Sequence, residues 1–302
     1  MTSATQRIAQ YNKEVGQPRG GLVNPKLLTV TQFDDGFGVL DHKIENQHPS
    51  TVGIAVDYLS RLADIRLGID DSPVRLASEA VRGSLLGARS PRDSGTHAST
   101  KEEAAHAALN LNMLEHEDGS ATFVMDDDAV RIACELASDD AALGAGPAWS
   151  NSDNTLRAPD ETTTSHILTM VERSQDFFED HGPGWDVGFF FVEEDDEEVD
   201  EVHADRGRGG YNVLFDSGDG EFLTRDILWS FRASASKPSM DHLLHLMMYY
   251  LMGKQSGLPR FATQTHVGVF NPRMNAVYRL AVDEVPAEVL EIVRRDVIGY
   301  EG

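Results

Sequence analysis

Residues 221–232 read EFLTRDILWSFR. Apolar and polar residues alternate on both sides of the central TRD, and YNVLFDSGDG precedes the stretch, so the segment from Tyr211 predicts two strands around a turn, a β-hairpin. Side chains on a strand alternate between faces, so Ser230 and Arg232 share one face and Phe231 turns the other way into the core.

Downstream, after the loop SASKPSM, the run DHLLHLMMYYLMGKQSG predicts a strongly apolar helix that Gly253 and Gly257 help to end. THVGVFNPRMNAVYRLAV predicts two further strands joined at NPRMN, where Asn and Pro fix a turn around Arg273. VPAEVLEIVRRDVIGY closes the chain as a helix begun at Pro286. Upstream, residues 18–34 predict a turn and a strand, and ENQHPS is a polar helix start followed by Val52, Val56, Leu59 and Ala63 at helical spacing. Residues 70–115 are expected to continue helical apart from a loop over 90–100, residues 123–143 to form another helix, and residues 144–164 to form a linker. HILTMVERSQDFFEDHG predicts a helix ending at Gly182. Residues 186–210 split into an apolar strand and a solvated acidic loop, with eight acids in the nine positions 193–201. The expected architecture is one α/β domain over 1–302, a mixed central sheet flanked by helices, with a helical part over 44–180 and a hairpin–helix core over 186–302.

Composition narrows the function. The chain has 302 residues, 40% of them hydrophobic, which is enough for a sizeable core. No run is long and apolar enough for a membrane helix, and MTSATQRIAQYNKE lacks a signal core, so a soluble cytoplasmic protein without a membrane partner is expected. The single cysteine, Cys134, excludes an internal disulfide and a multi-cysteine zinc site. The net charge is −24, with 20 Arg against 6 Lys, so the chain as a whole repels nucleic acid unless its cations gather in one groove.

A metal-dependent nuclease holds Mg²⁺ against the scissile phosphate with carboxylates and places a cation nearby. EFLTRDILWSFRAS followed by HLLHLMMYYLMG resembles the PD-(D/E)XK nuclease superfamily, in particular its RecB-like branch. There an acid, an acid-x-Lys strand and a helix with a Gln-xxx-Tyr motif occur in that order. The resemblance implies a restriction-endonuclease-like core, with Glu221 at the first acid, Ser230 at the second acid, Arg232 at the lysine, and His245 and Tyr249 at the Gln and Tyr. ENQHPSTVGIAVDYLSRL resembles the N-terminal helix of such proteins, which makes Glu45 and His48 candidates to complete a metal site with Glu221 and Asp219. The blocks cover residues 44–67 and 211–255, and 256–282 would finish the sheet.

The departures bear on activity. Ser for an acid removes a negative charge, and Arg for Lys replaces a tunable ammonium with a guanidinium that stays protonated. The expectation is a divergent nuclease-fold protein acting on or binding nucleic acid, in defence against phage or in DNA processing, with catalysis weakened or lost. If active it would use Mg²⁺ or Mn²⁺. The alternative is a non-catalytic interaction or scaffolding module whose acidic surface serves a protein partner. PRGG (18–21) and RGRGG (206–210) read either as flexible turns or as phosphate contacts, so Arg19, Arg206 and Arg208 are the cations that would line a nucleic-acid groove. On the apolar helix, His245 reads either as a core histidine or as a ligand.

Overall fold

The computed structural model describes residues 4–63, 113–115, 121–145, 157–182, 190–191, 218–219 and 222–300. Along them run helix α1 (Ala4–Glu14), strand β1 (Thr29–Gln32), α2 (Pro49–Ala63), the short strands β2 (Met113–Glu115) and β3 (Ala121–Phe123), α3 (Asp127–Ala145) and α4 (Glu161–His181). Then come β4 (Phe190–Phe191), β5 (Gly218–Asp219), β6 (Phe222–Leu223), β7 (Ile227–Phe231), α5 (Met240–Ser256), α6 (Pro259–Ala262), β8 (His266–Asn271), β9 (Ala276–Ala281) and α7 (Ala287–Ile292), which runs on into a π-helical turn over Val293–Ile298. The protein is a mixed α/β fold built on a five-stranded sheet of order β1-β9-β8-β7-β6. Every pair in it is antiparallel except β7–β8, whose parallel crossover is made through α5 and α6.

Apart from the exposed edge strand β1, the sheet is buried on both faces, and its alternation assigns the side chains of β7, β8 and β9 to two cores. Ile227, Trp229, Phe231, Phe270 and Val277 pack with α2, α3 and α4. Leu228, Val267, Val269, Tyr278 and Leu280 pack with α1, α5 and α7. Trp229 and Gly268 stand opposite each other in the β7–β8 register, and a Cβ on Gly268 would lie 2.3 Å from the indole ring. The glycine is therefore what lets a fully buried tryptophan lie across its neighbouring strand. Phe177 meets that indole edge-on at 4.9 Å and stacks on Phe270 at 4.2 Å.

Several expectations are corrected. Residues 113–115, read as helical, form β2 in register with β3, and Phe123, read as helix, belongs to β3. Helix α4 begins within the expected linker, because the Asp160 carboxylate accepts the Thr163 N–H at 2.9 Å and buries Thr163 and Thr164 in the first turn. Gly257 ends α5 in the left-handed region, φ 68°, but Gly253 lies inside the helix, where its missing Cβ makes room for the Phe261 ring. The β6–β7 hairpin is present from Phe222 onward, whereas Asp219 belongs to β5, which pairs with β4 in a separate ladder. Residues 64–112, the acidic run, residues 211–217, Arg206, Arg208 and Glu221 lie outside the described residues.

Candidate functional site at the end of strand β7

Strand alternation puts Ser230 and Arg232 together on the face covered by α5, and Arg232 Nε donates to Ser230 Oγ at 3.2 Å. Ser230 is buried and Arg232 half-buried. No carboxylate among the described residues pairs with this guanidinium; the titratable groups beside it are His242 and His245 of α5. Burial, reinforced by Arg232, pushes His242 down to about 4 and His245 down to about 3, so both rings are neutral at neutral pH. His242 has a local role: its Nδ1 accepts the Ser239 N–H while Ser239 Oγ accepts the His242 N–H, a reciprocal cap on α5. His245 leans on the Tyr249 ring at 4.5 Å, and its Nε2 is buried with no hydrogen-bond partner among the described residues.

The depressed His245 has a consequence for folding. Unfolded, it protonates near its ordinary 6.5, and folded only near 3, so between these values the unfolded chain binds more protons. His245 therefore removes stability as pH falls through that window. His245→Leu should flatten the pH dependence of the urea midpoint there, and an unchanged slope would show that the ring titrates normally.

The PRGG turn reaches the same helix end. Asn12 and Gln17 donate to Asp241 Oδ1 at 3.0 and 2.5 Å, and a Cβ on Gly21 (φ +86°) would collide with Met240 Cβ at 2.5 Å. The turn is thus docked on the first turn of α5, with Arg19 exposed at its tip.

Across the sheet, the Glu45 side chain is fully buried between the Arg273 guanidinium and the His166 ring. Its Oε1 accepts from Arg273 Nη1 and faces His166 Nδ1 at 2.8 Å, and its Oε2 accepts from Arg273 Nη2 at 3.0 Å. Arg273 also donates to Ala233 O at 3.2 Å and Leu40 O at 3.3 Å, which brings the Glu45 cluster to the residue following Arg232. A second buried arginine braces the same turn: Arg173 Nη1 donates to Pro272 O at 2.7 Å and Arg273 O at 3.2 Å, while its Nε and Nη2 grip Asp35 at 2.5 and 2.9 Å. The Arg173 guanidinium holds the Asp35 carboxyl below the usual carboxylate range. His48 sits at the start of α2, its Nδ1 accepting the Ser50 N–H at 3.2 Å and its carbonyl the Val52 N–H at 3.0 Å.

Neither a family model, nor a curated protein, nor a solved structure matches this chain. No helix among the described residues is long and apolar enough to cross a membrane. The strand residues Ser230 and Arg232 and the helix residues His245 and Tyr249 are brought to adjacent elements on one face of the sheet. Glu45 is held on the other side by Arg273, and Asp219 lies in a different ladder. The described candidates do not fit a divalent cation: both Glu45 oxygens are engaged by the Arg273 guanidinium, Ser230 is uncharged, and among the described residues no group of three His, Cys, Asp or Glu side chains converges.

Sequence reasoning passed over Arg173 and His166 and read Arg273 as a turn residue. A signal for Arg173 exists: with Met170, Val171, Ser174 and Phe177 it falls on the buried stripe of α4, where a charge requires a partner. No such local signal marks Arg273, because its partner Glu45 is 228 positions away.

Proposed function

We propose that this chain is a divergent nuclease-fold protein, with a restriction-endonuclease-like core, that binds a phosphate group of nucleic acid at the end of β7 and does not cleave it. The observation that carries the proposal is Arg232, a half-buried guanidinium with no carboxylate partner among the described residues, set beside two neutral histidines in a chain of net charge −24. A guanidinium presents a fork that matches a phosphate, and in partial burial such a contact is little screened. The order of hairpin, apolar helix and parallel strand supports the fold assignment. The site lacks the second strand acid that would hold a catalytic metal, since Ser230 stands there. Defence against phage or DNA processing is the setting that the resemblance implies.

The test is a paired binding and cleavage assay on single- and double-stranded DNA and RNA with Mg²⁺ or Mn²⁺ at low and high salt. The unmodified protein should bind without cutting, and Arg232→Ala should weaken binding by about tenfold or more, as loss of one charge-assisted phosphate contact does. Ser230→Asp combined with Arg232→Lys would regain cutting if the strand descends from an active site. Cleavage by the unmodified protein that Glu221→Ala abolishes would make it an enzyme and sink the proposal. Equal binding by Arg232→Ala would sink it from the other side.

A further inference from the structure

On the opposite face of the sheet from Arg232, a groove of about 700 Å³ runs between the start of α3 and α4, with Phe37 in its wall. Asp127, Asp128, Glu161 and Glu172 line it and are all exposed. Among the described residues the one cation in its wall, Arg131, is already taken, 3.3 Å from Asp128 and 3.0 Å from Glu135. Between the acids the lining is apolar or uncharged, with Leu168, Ala158 and Pro159.

Phe37 is the unusual member. Its ring is 65% exposed, yet its backbone is fixed on both sides: Asp35 and the Gly38 carbonyl are both gripped by buried Arg173, and the Phe37 N–H donates to Asp35 Oδ1 at 3.1 Å. Val39 and Ile44 continue the exposed apolar surface along the same segment at 54% and 59%. A large apolar side chain presented to water from a fixed backbone costs less backbone entropy when a partner covers it, which is the property of a preorganised anchor.

We propose that this groove docks a basic amphipathic segment of a partner protein, whose lysines or arginines meet the acidic rim and whose apolar side chains cover Phe37. Charge selects the occupant: four carboxylates against one arginine in the wall repel nucleic acid, and a second copy of this chain, itself at −24, is repelled too. This docking is independent of the phosphate contact at Arg232.

The experiment titrates a labelled amphipathic lysine–leucine helix into the full chain and follows fluorescence anisotropy, with a lysine–serine peptide of equal charge as comparison. The lysine–leucine peptide should bind, Phe37→Ser and Glu172→Lys should each weaken it by about tenfold, and Glu291→Lys on the exposed side of α7 and Arg232→Ala should leave it unchanged. Equal affinity for both peptides, or equal losses at Glu172 and Glu291, would show attraction to net charge alone and overturn the proposal. Sedimentation of the chain by itself supplies the other arm: a dimer that Phe37→Ser dissolves would put a second copy on the surface, and DNA competing with the peptide for the groove would assign it to nucleic acid, each overturning the basic partner.

Discussion

Arg273→Ala should lower the unfolding free energy by about 3–5 kcal/mol, the usual result of removing one partner from a buried ion pair. The arginine is 1% exposed and the Glu45 side chain fully buried. Removing the guanidinium leaves the carboxylate with His166 alone and also strips the donors from the Ala233 and Leu40 carbonyls. The loss is large because a buried charge without its counter-ion keeps its full desolvation cost, while the pair itself contributes little net stability. A double change, Arg273→Met with Glu45→Leu, should therefore recover a substantial part of the loss. Urea denaturation of the single and double variants measures both. A single variant within about 1 kcal/mol of the parent, or a double variant whose loss equals the sum of the two singles, would show that the cluster is not a coupled unit.

Trp229→Ala should cost about 3–5 kcal/mol, as large-to-small changes of a buried aromatic do. The indole is wholly buried, touches Phe177 edge-on, and donates Nε1–H to Thr224 Oγ1 at 2.9 Å, so truncation opens a cavity and leaves a buried hydroxyl without its donor. The complementary change is Gly268→Ala, whose added methyl would meet Trp229 ring atoms at 2.3 and 2.4 Å; overpacking of this kind costs about 1–3 kcal/mol. Because the two side chains occupy one space, Trp229→Leu should relieve Gly268→Ala, and the pair should be less destabilised than the sum of the singles. Thermal unfolding followed by near-ultraviolet circular dichroism measures this. Strict additivity would show that the indole does not rest on the glycine.

The lower-stability side of the pH profile, the phosphate contact at Arg232 and the groove at Phe37 make smaller demands on the fold. They share a physical basis with the two large effects. Each depends on a charged or aromatic group whose environment is made by packed neighbours, drawn from one strand–helix stretch for Arg232 and His245 and from distant segments for Arg273 and Phe37.

The elements legible in the sequence are those whose pattern is dense and local, even where burial reaches every side, as it does along β7 and most of α5. The apolar run around Leu243–Met252 became α5, the alternation over 227–231 became β7, and NPRMN became the β8–β9 turn, because each pattern is set by neighbours within a few residues. The shared face of Ser230 and Arg232 follows from the same local rule. Elements without a strong local pattern were misread: Met113–Glu115 carries only three strand residues, and it is paired by partners that periodicity does not reveal.

Sequence by itself determined the α/β class, the hairpin–helix–strand order and the excess of negative charge, since these depend on composition and on spacing along one element. Tertiary structure alone decided that Glu45 faces Arg273 and His166 instead of a metal, that Arg173 clamps the turn at residues 272–273, and that Phe37 stands exposed beside an acidic groove. Those outcomes rest on contacts between residues far apart in the sequence, 228 positions for Glu45 and Arg273 and 99 for Arg173 and Pro272, and a buried charge takes its partner from whichever segments the packing of the sheet brings within hydrogen-bond reach.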